Sequence, residues 1–163
     1  MIGSNDPRCA GDQRLEALDS LTYVSEPVTA DTEITGPISA TLYASSTAED
    51  TDWIVKVIDI FPDGTMSPAS PQPGYWNLIT TGWLKGTHRE GHVTPLAIPP
   101  GEVIRYDVEV FATSYLVREG HRIALQVASA DAARTWPNPN PATNSIFRTP
   151  EYPSHVTLPI VPR

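Results

Sequence analysis

Seventeen prolines are scattered through the 163 residues, roughly twice the usual proportion, and they constrain the fold more than any other feature. Each removes a backbone N–H and clashes with the preceding helical turn, so few windows between them could hold a helix of ordinary length. Strands tolerate such punctuation, and the hydrophobic pattern agrees. Residues Ile38 to Ser46 alternate, with Ile38, Ala40, Leu42 and Ala44 on one face and Ser39, Thr41, Tyr43 and Ser45 on the other, the period of a half-buried strand. Val103 to Ala112 repeats this through Ile104, Tyr106, Val108, Val110 and Ala112, and His121 to Ser129 through Ile123, Leu125 and Val127. The last segment sets Val156, Leu158 and Ile160 on one side. Trp53 to Phe61 differs. Apart from Lys56 and Asp59 it is apolar on both faces, the pattern of a central strand covered on both sides.

Between these runs stand Pro62-Asp63-Gly64, Pro99-Pro100-Gly101 and Arg118-Glu119-Gly120, turns in which Pro presets a negative φ and Gly supplies a positive one. Weaker strands are expected at Leu21 to Ser25, Thr32 to Thr35, Tyr75 to Leu84 and Ser145 to Arg148, with one short helix around Asp12 to Leu18 and Asp12 as its N-cap. Eight or nine antiparallel strands with little helix make the chain all-β, and the expected architecture is a jelly-roll β-sandwich. Residues 1–10 read as a flexible N-terminal segment or the cut edge of a longer chain, and residues 11–163 as a single jelly-roll domain.

The formal charge is −8, and the 11 Lys and Arg residues are dispersed singly. An electrostatic grip on nucleic acid or on a membrane surface is therefore not expected. No apolar run approaches the roughly 20 residues that cross a bilayer. Cys9 is the only cysteine, which excludes a disulfide within the chain and a cysteine-based zinc site. Met1 to Arg14 lacks a basic stretch followed by an apolar one. The expectation is a soluble protein, cytoplasmic or secreted according to a signal that would lie upstream.

No G-x-S-x-G pentapeptide occurs, so the nucleophile elbow of an α/β-hydrolase is missing. Catalytic, cofactor-binding and metal-binding residues are all expected to be absent. In His88-Arg89-Glu90-Gly91-His92 the histidines are four apart, but the glutamate does not follow the first of them and Gly91 disfavours a helix; a solvated polar loop fits better than a zinc site. Asp50-Thr51-Asp52 offers oxygens for calcium, yet suits a polar strand entry. Tyr75, Trp76, Trp83 and Trp136 could form a sugar-stacking platform, against the commoner role of aromatics in a core or interface. Trp136, Tyr75 and Trp76 are the candidate interface or ligand-facing residues. They lie in or beside the long loops Asp63 to Gly74 and Asp131 to Asn144, which are expected to share one apolar face.

Leu21-Thr22-Tyr23-Val24-Ser25-Glu26-Pro27, Thr35-Gly36-Pro37, Tyr43-Ala44-Ser45-Ser46 with Asp50-Thr51-Asp52-Trp53, Pro62-Asp63-Gly64, Pro100-Gly101-Glu102, Ala112-Thr113-Ser114 and Gly120-His121-Arg122-Ile123 occur in an order and spacing that resembles the C-terminal domain of X-prolyl dipeptidyl peptidases and the related CocE/NonD hydrolases, a group that includes cocaine esterase and the α-amino acid ester hydrolases. The resemblance spans about residues 11 to 163. It implies a jelly roll resembling galactose-binding domains, with no catalytic role of its own, since the family's Ser, Asp and His triad resides in an upstream α/β-hydrolase domain. It further implies that this chain packs on such a domain and helps shape its active-site entrance, that the parent is a serine hydrolase with dipeptidyl-peptidase or esterase/acylase activity, and that the isolated chain self-associates. Where the family has a Ser-Ser-Ser/Asn run and an aromatic, this chain has Ala128 to Trp136. The competing expectation is a free-standing carbohydrate-binding β-sandwich.

Overall fold

The alternating segments become ten strands, seen in a computed structural model that describes residues 11–67, 70–131, 135 and 138–162. They are β1 (Leu21–Val24), β2 (Thr32–Ser46), β3 (Asp52–Ile60), β4 (Met66–Ser67), β5 (Ser70–Pro73), β6 (Trp76–Lys85), β7 (Ile104–Val117), β8 (Arg122–Ala128), β9 (Asn144–Phe147) and β10 (His155–Thr157). All pairings are antiparallel. β4 and β5 pair only with each other, and the remaining eight form one sheet in the order β1-β8-β3-β6-β7-β2-β10, with β9 also on β2. Among the described residues helix is limited to 3-10 turns at Glu16–Asp19 and Gly86–His88. The chain is thus all-β, a curled antiparallel sheet of the jelly-roll kind.

The curl has a sequence cause at Gly82. β6 and β7 share a single register pair, Gly82 with Val110, and a Cβ at Gly82 would fall 2.2 Å from the Glu109 carbonyl oxygen. Only glycine lets the two backbones approach so closely, and the sheet folds over at that crossing. Strands from both halves then close on one core. It is built from Ile34, Ile38, Leu42, Trp53, Val55, Val57, Tyr106, Val108, Val110, Val117 and Val127, with the Trp53 and Tyr106 rings 5.2 Å apart. Ile123 and Leu125 are half-buried against it.

Two irregularities alter what strict alternation predicts. Gly36 pairs with Thr113 but Ile38 pairs with Val110, so β7 carries one extra residue around Phe111 and Ala112, a bulge that reverses the inward parity. Ala112, expected on the inner face with Val110, is exposed, while Val117 is buried. Opposite the bulge, Gly36 and Pro37 join the two expected strands Thr32 to Thr35 and Ile38 to Ser46 into one, β2. At the C-terminus Val156 and Leu158 pack on the core, but Ile160 is exposed and holds only a bridge to Ile34.

The entry segment also departs from expectation. Asp12 caps no helix: its carboxylate accepts the Arg14 backbone N–H at 3.1 Å, a local Asx turn, and the 3-10 turn that follows has no side-chain cap. Tertiary contacts hold the segment instead. The Gln13 N–H donates to the Trp76 carbonyl at 3.0 Å, and the Gln126 side-chain amide donates to the Gln13 carbonyl at 3.1 Å. These bonds lay residues 11–20 over the outer face of β3 and β8, so that Ile54, Lys56 and Ile58 are buried as fully as Val55 and Val57.

In urea unfolding, Val108→Ala or Leu125→Ala should cost about 1 to 4 kcal/mol, while Val93→Ala, at a fully exposed loop position, should stay within about 0.5 kcal/mol. Inverted costs would show that the inner face has been misassigned. Gly82→Ala should be more damaging than Val108→Ala in the same assay.

Candidate functional site

Lys56 stands in the middle of β3, paired in register with Thr81 of β6 and Gln126 of β8, and it is only 3% exposed. A buried ammonium needs counter-charges, and it has two. Glu16 reaches it from the entry segment, and the Asp131 carboxylate lies 3.2 Å away at the end of the loop leaving β8. Around this clamp opens a groove of about 850 Å³ lined by Leu18, Ser20, Leu21, Trp53, Ser129 and Asn144 among others. Its mouth is acidic, with Glu16, Asp19 and Asp131 against Lys56.

A second polar cluster lies at the other end of β3. Asp59, 1% exposed, accepts the Tyr115 hydroxyl at 2.9 Å and faces the His121 Nδ1 at 2.8 Å, and the Asn77 amide donates to the Tyr115 hydroxyl at 3.1 Å. The carboxylate on Nδ1 is the arrangement found in hydrolytic triads. Here it activates nothing among the described residues: the imidazole packs against Phe61, ring centroids 4.5 Å apart, and no serine or cysteine is bonded to it. The cluster satisfies a buried carboxylate at the β7–β8 turn. Burial, with Asp59 adding its negative charge, pushes the Tyr115 phenol well above its ordinary value.

The aromatic candidates fare differently from one another. Tyr75 is buried, its ring edge-on to Phe61 at 5.9 Å. Trp76 is half-buried and tied through its backbone to Asp12 and Gln13. Trp136 lies outside the described residues. The two long loops leave the sheet at opposite ends of β3. Trp76 pairs with Ile60, whereas Ala128, from which the Asp131 to Asn144 loop departs, pairs with Ile54; six residues of strand, roughly 20 Å, separate them. The second loop rejoins the sheet at the Asp50 end, where the Asn144 amide donates to Thr51 and Ser129, both at 2.7 Å. Trp83 and Phe111 form an edge-on pair at 5.4 Å with planes 63° apart, which is no flat stacking surface.

The residues weighed for metals are otherwise engaged. Asp50 accepts from Lys85 at 2.6 Å, with Asp52 at 3.7 Å. Burial pulls the Lys85 ammonium down, but the two carboxylates outweigh it and hold it above its ordinary value. His88 and His92 lie side by side at 5.7 Å, without a third ligand. Among the described residues no three His, Cys, Asp or Glu side chains gather as a metal site. Neither the Lys56 clamp nor the Asp59 cluster was placed by motif. Their only trace was a pair of charges in an otherwise apolar strand, because the partners sit far along the chain.

Fold and site together define an antiparallel β-sandwich domain that assembles no hydrolytic centre among its described residues. Residues 2–157 match the model of the family described as the X-Pro dipeptidyl-peptidase C-terminal non-catalytic domain, and the chain belongs to that family. It is 35% identical over 159 residues to cocaine esterase from Rhodococcus sp. (strain MB1 Bresler), a match that takes in 89% of this chain and 26% of that protein. The chain thus spans about a quarter of the length of that relative. Among solved structures it is similar to an α-amino acid ester hydrolase (TM-score 0.80, 28% identity, 93% of this chain and 27% of that one). It is equally similar to an aminopeptidase from the marine sediment archaeon Thaumarchaeota archaeon (TM-score 0.82, 28% identity, 98% of this chain and 29% of that one).

Lys56→Met should cost about 3 to 5 kcal/mol, because the buried Asp131 carboxylate loses its ammonium, and adding Asp131→Leu should restore most of the loss; a neutral single variant would show that the clamp does not hold the fold. Burial raises the phenols of Tyr75, Tyr106 and Tyr115 above their ordinary value of 10. The folded state keeps these protons longer than the unfolded one, so stability is intact below about pH 10 and falls as pH climbs toward the folded values. Above pH 10 the loss per pH unit should be shallower in Tyr115→Phe, by at most about 1.4 kcal/mol, as read from denaturant titrations at pH 9 to 11.

Proposed function

We propose that this chain is the accessory C-terminal domain of a serine hydrolase, that it packs on an α/β-hydrolase domain of the same protein, and that it helps wall the entrance to that domain's active site. The parent activity is cleavage of X-prolyl peptides or of esters and amides: the family description names an X-Pro dipeptidyl-peptidase, and the relatives include a cocaine esterase, an α-amino acid ester hydrolase and an aminopeptidase. What carries the reading, beside the family match, is an apolar ridge on the entry segment and edge strand: Leu15 and Leu18 are 75% and 82% exposed, and Leu21 and Val24 about half exposed. Leu15, Leu18 and Leu21 recur every three residues, and such a run on a domain surface marks an interaction site. The acidic groove lies directly beside it. Trp76 and Trp136 remain candidates for the rim of the same assembly, and Tyr75 for a supporting role behind it.

The carbohydrate-binding alternative draws less support, since Tyr75 is buried and the Trp83–Phe111 pair is edge-on. The ridge can be tested by sedimentation of the 163-residue chain, alone and mixed with the hydrolase domain. The wild type should self-associate or form a 1:1 complex, and Leu15→Glu with Leu18→Glu should remove both while leaving the melting curve unchanged. A strictly monomeric wild type with no affinity for the hydrolase domain would contradict the reading. So would saturable retention on a soluble polysaccharide, lost in Trp76→Ala.

A further inference from the structure

The sheet order begins at β1 and ends at β10, and the curl brings these two ends toward each other. They do not hydrogen-bond to each other, so the sandwich has a seam. Behind that seam lies a cavity of about 160 Å³. Its walls come from both leaves: Leu125 and Val127 of β8 and Val55 of β3 on one side, Leu42 of β2, Ile146 of β9 and Val156 of β10 on the other. The wall is almost wholly hydrocarbon. The space opens at the seam, and its size matches an apolar cavity of about 150 Å³ that accepts a benzene-sized guest, in which an apolar molecule gains dispersion contacts with the walls.

The mouth has one charge. Arg148, just beyond β9, lays its guanidinium over the Tyr23 ring of β1, 4.6 Å from the centroid, and both residues line the cavity. Arg148 forms no ion pair among the described residues, although the chain carries an excess of acids. Stacking on tyrosine fixes the guanidinium plane and leaves its N–H edge to bond a planar anion. His155 stands at the same rim, its Nδ1 engaged 2.7 Å from the Pro153 carbonyl, so the imidazole is held in place beside the opening.

We propose that this seam is a binding site for a small apolar carboxylate, with the hydrocarbon part in the inter-leaf cavity and the carboxylate on Arg148. The site does not depend on the hydrolase reading, because every group in it belongs to this chain, none belongs to the ridge, and of its lining Val127 and Ile146 alone are shared with the acidic groove, which leaves Leu125 and Val156 as the methyls that report on the cavity by itself.

Methyl-resolved NMR of the full 163-residue chain provides the test, with cyclohexanecarboxylate, cyclohexylamine and benzene as probes. Cyclohexanecarboxylate and benzene should shift the methyls of Leu125, Val127, Ile146 and Val156 saturably, and cyclohexylamine, of similar size and opposite charge, should bind at least about tenfold more weakly than the carboxylate. Arg148→Gln, a surface change that spares the fold, should lower carboxylate affinity by about tenfold and leave benzene binding unchanged. Ile146→Phe should fill the space and abolish both, with Val156→Phe doing the same from a second position on that wall should the first variant fail to fold. The proposal is overturned by the absence of any saturable shift at these methyls, by equal affinity for the carboxylate and the amine, or by an Arg148→Gln variant that binds the carboxylate as the wild type does.

Discussion

A lysine ammonium in the middle of a buried strand decides how this domain is put together. Lys56 on the buried outer face of β3 is matched by the carboxylates of Glu16 and Asp131, and each of those carboxylates brings a stretch of chain with it. Glu16 fastens the entry segment, which has no regular helix to stabilise it. Asp131 fastens the start of the loop after β8. Together with the Gln126 to Gln13 bond they turn the outer side of β3 and β8 into a second small interior. The inner side is left to the apolar core, and the polar half of the entry segment faces the sheet. Leu15 and Leu18 are in consequence turned outward, which is why the ridge exists at all.

Much of the fold could be read from periodicity. The inward residues of β2, the first half of β7 and β8 follow strict alternation, and β3 was recognisable as doubly covered because its apolar run is interrupted only by Lys56 and Asp59. Register irregularities were not legible. The bulge at Phe111 and Ala112 is set by the pairing of β7 with Gly36 and Pro37, some 75 residues earlier, and a single strand's pattern carries no sign of it. The expected helix at Asp12 to Leu18 shrank to a 3-10 turn because Asp12 folded back on its own backbone and the sheet offered better partners.

The site was legible only in outline. Missing motifs pointed away from an elbow or a zinc site, and the family to which the chain belongs is described as a non-catalytic domain. Trp76 and Tyr75 drew notice as aromatics near loops, and register places them at the end of β3 opposite to the point where the chain leaves β8. The apolar residues that do stand out in solvent are leucines of the entry segment, inconspicuous in the sequence because their exposure follows from a tertiary clamp. The seam between β1 and β10, with Arg148 over Tyr23, was equally hidden, since it joins the two ends of the sheet.

In the proposed assembly the entry segment and β1 form the face that this domain turns toward an α/β-hydrolase domain. Hydrogen exchange measured peptide by peptide, on the chain alone and joined to its α/β-hydrolase domain, addresses it most directly. The account predicts that residues 15–24 exchange readily in the isolated chain, diluted until it is monomeric, and become protected in the joined protein, while the amides of β2 and β7 remain protected in both. Unchanged exchange over residues 15–24, with new protection confined to the turns around Gly64, Gly91 and Gly101, would contradict it.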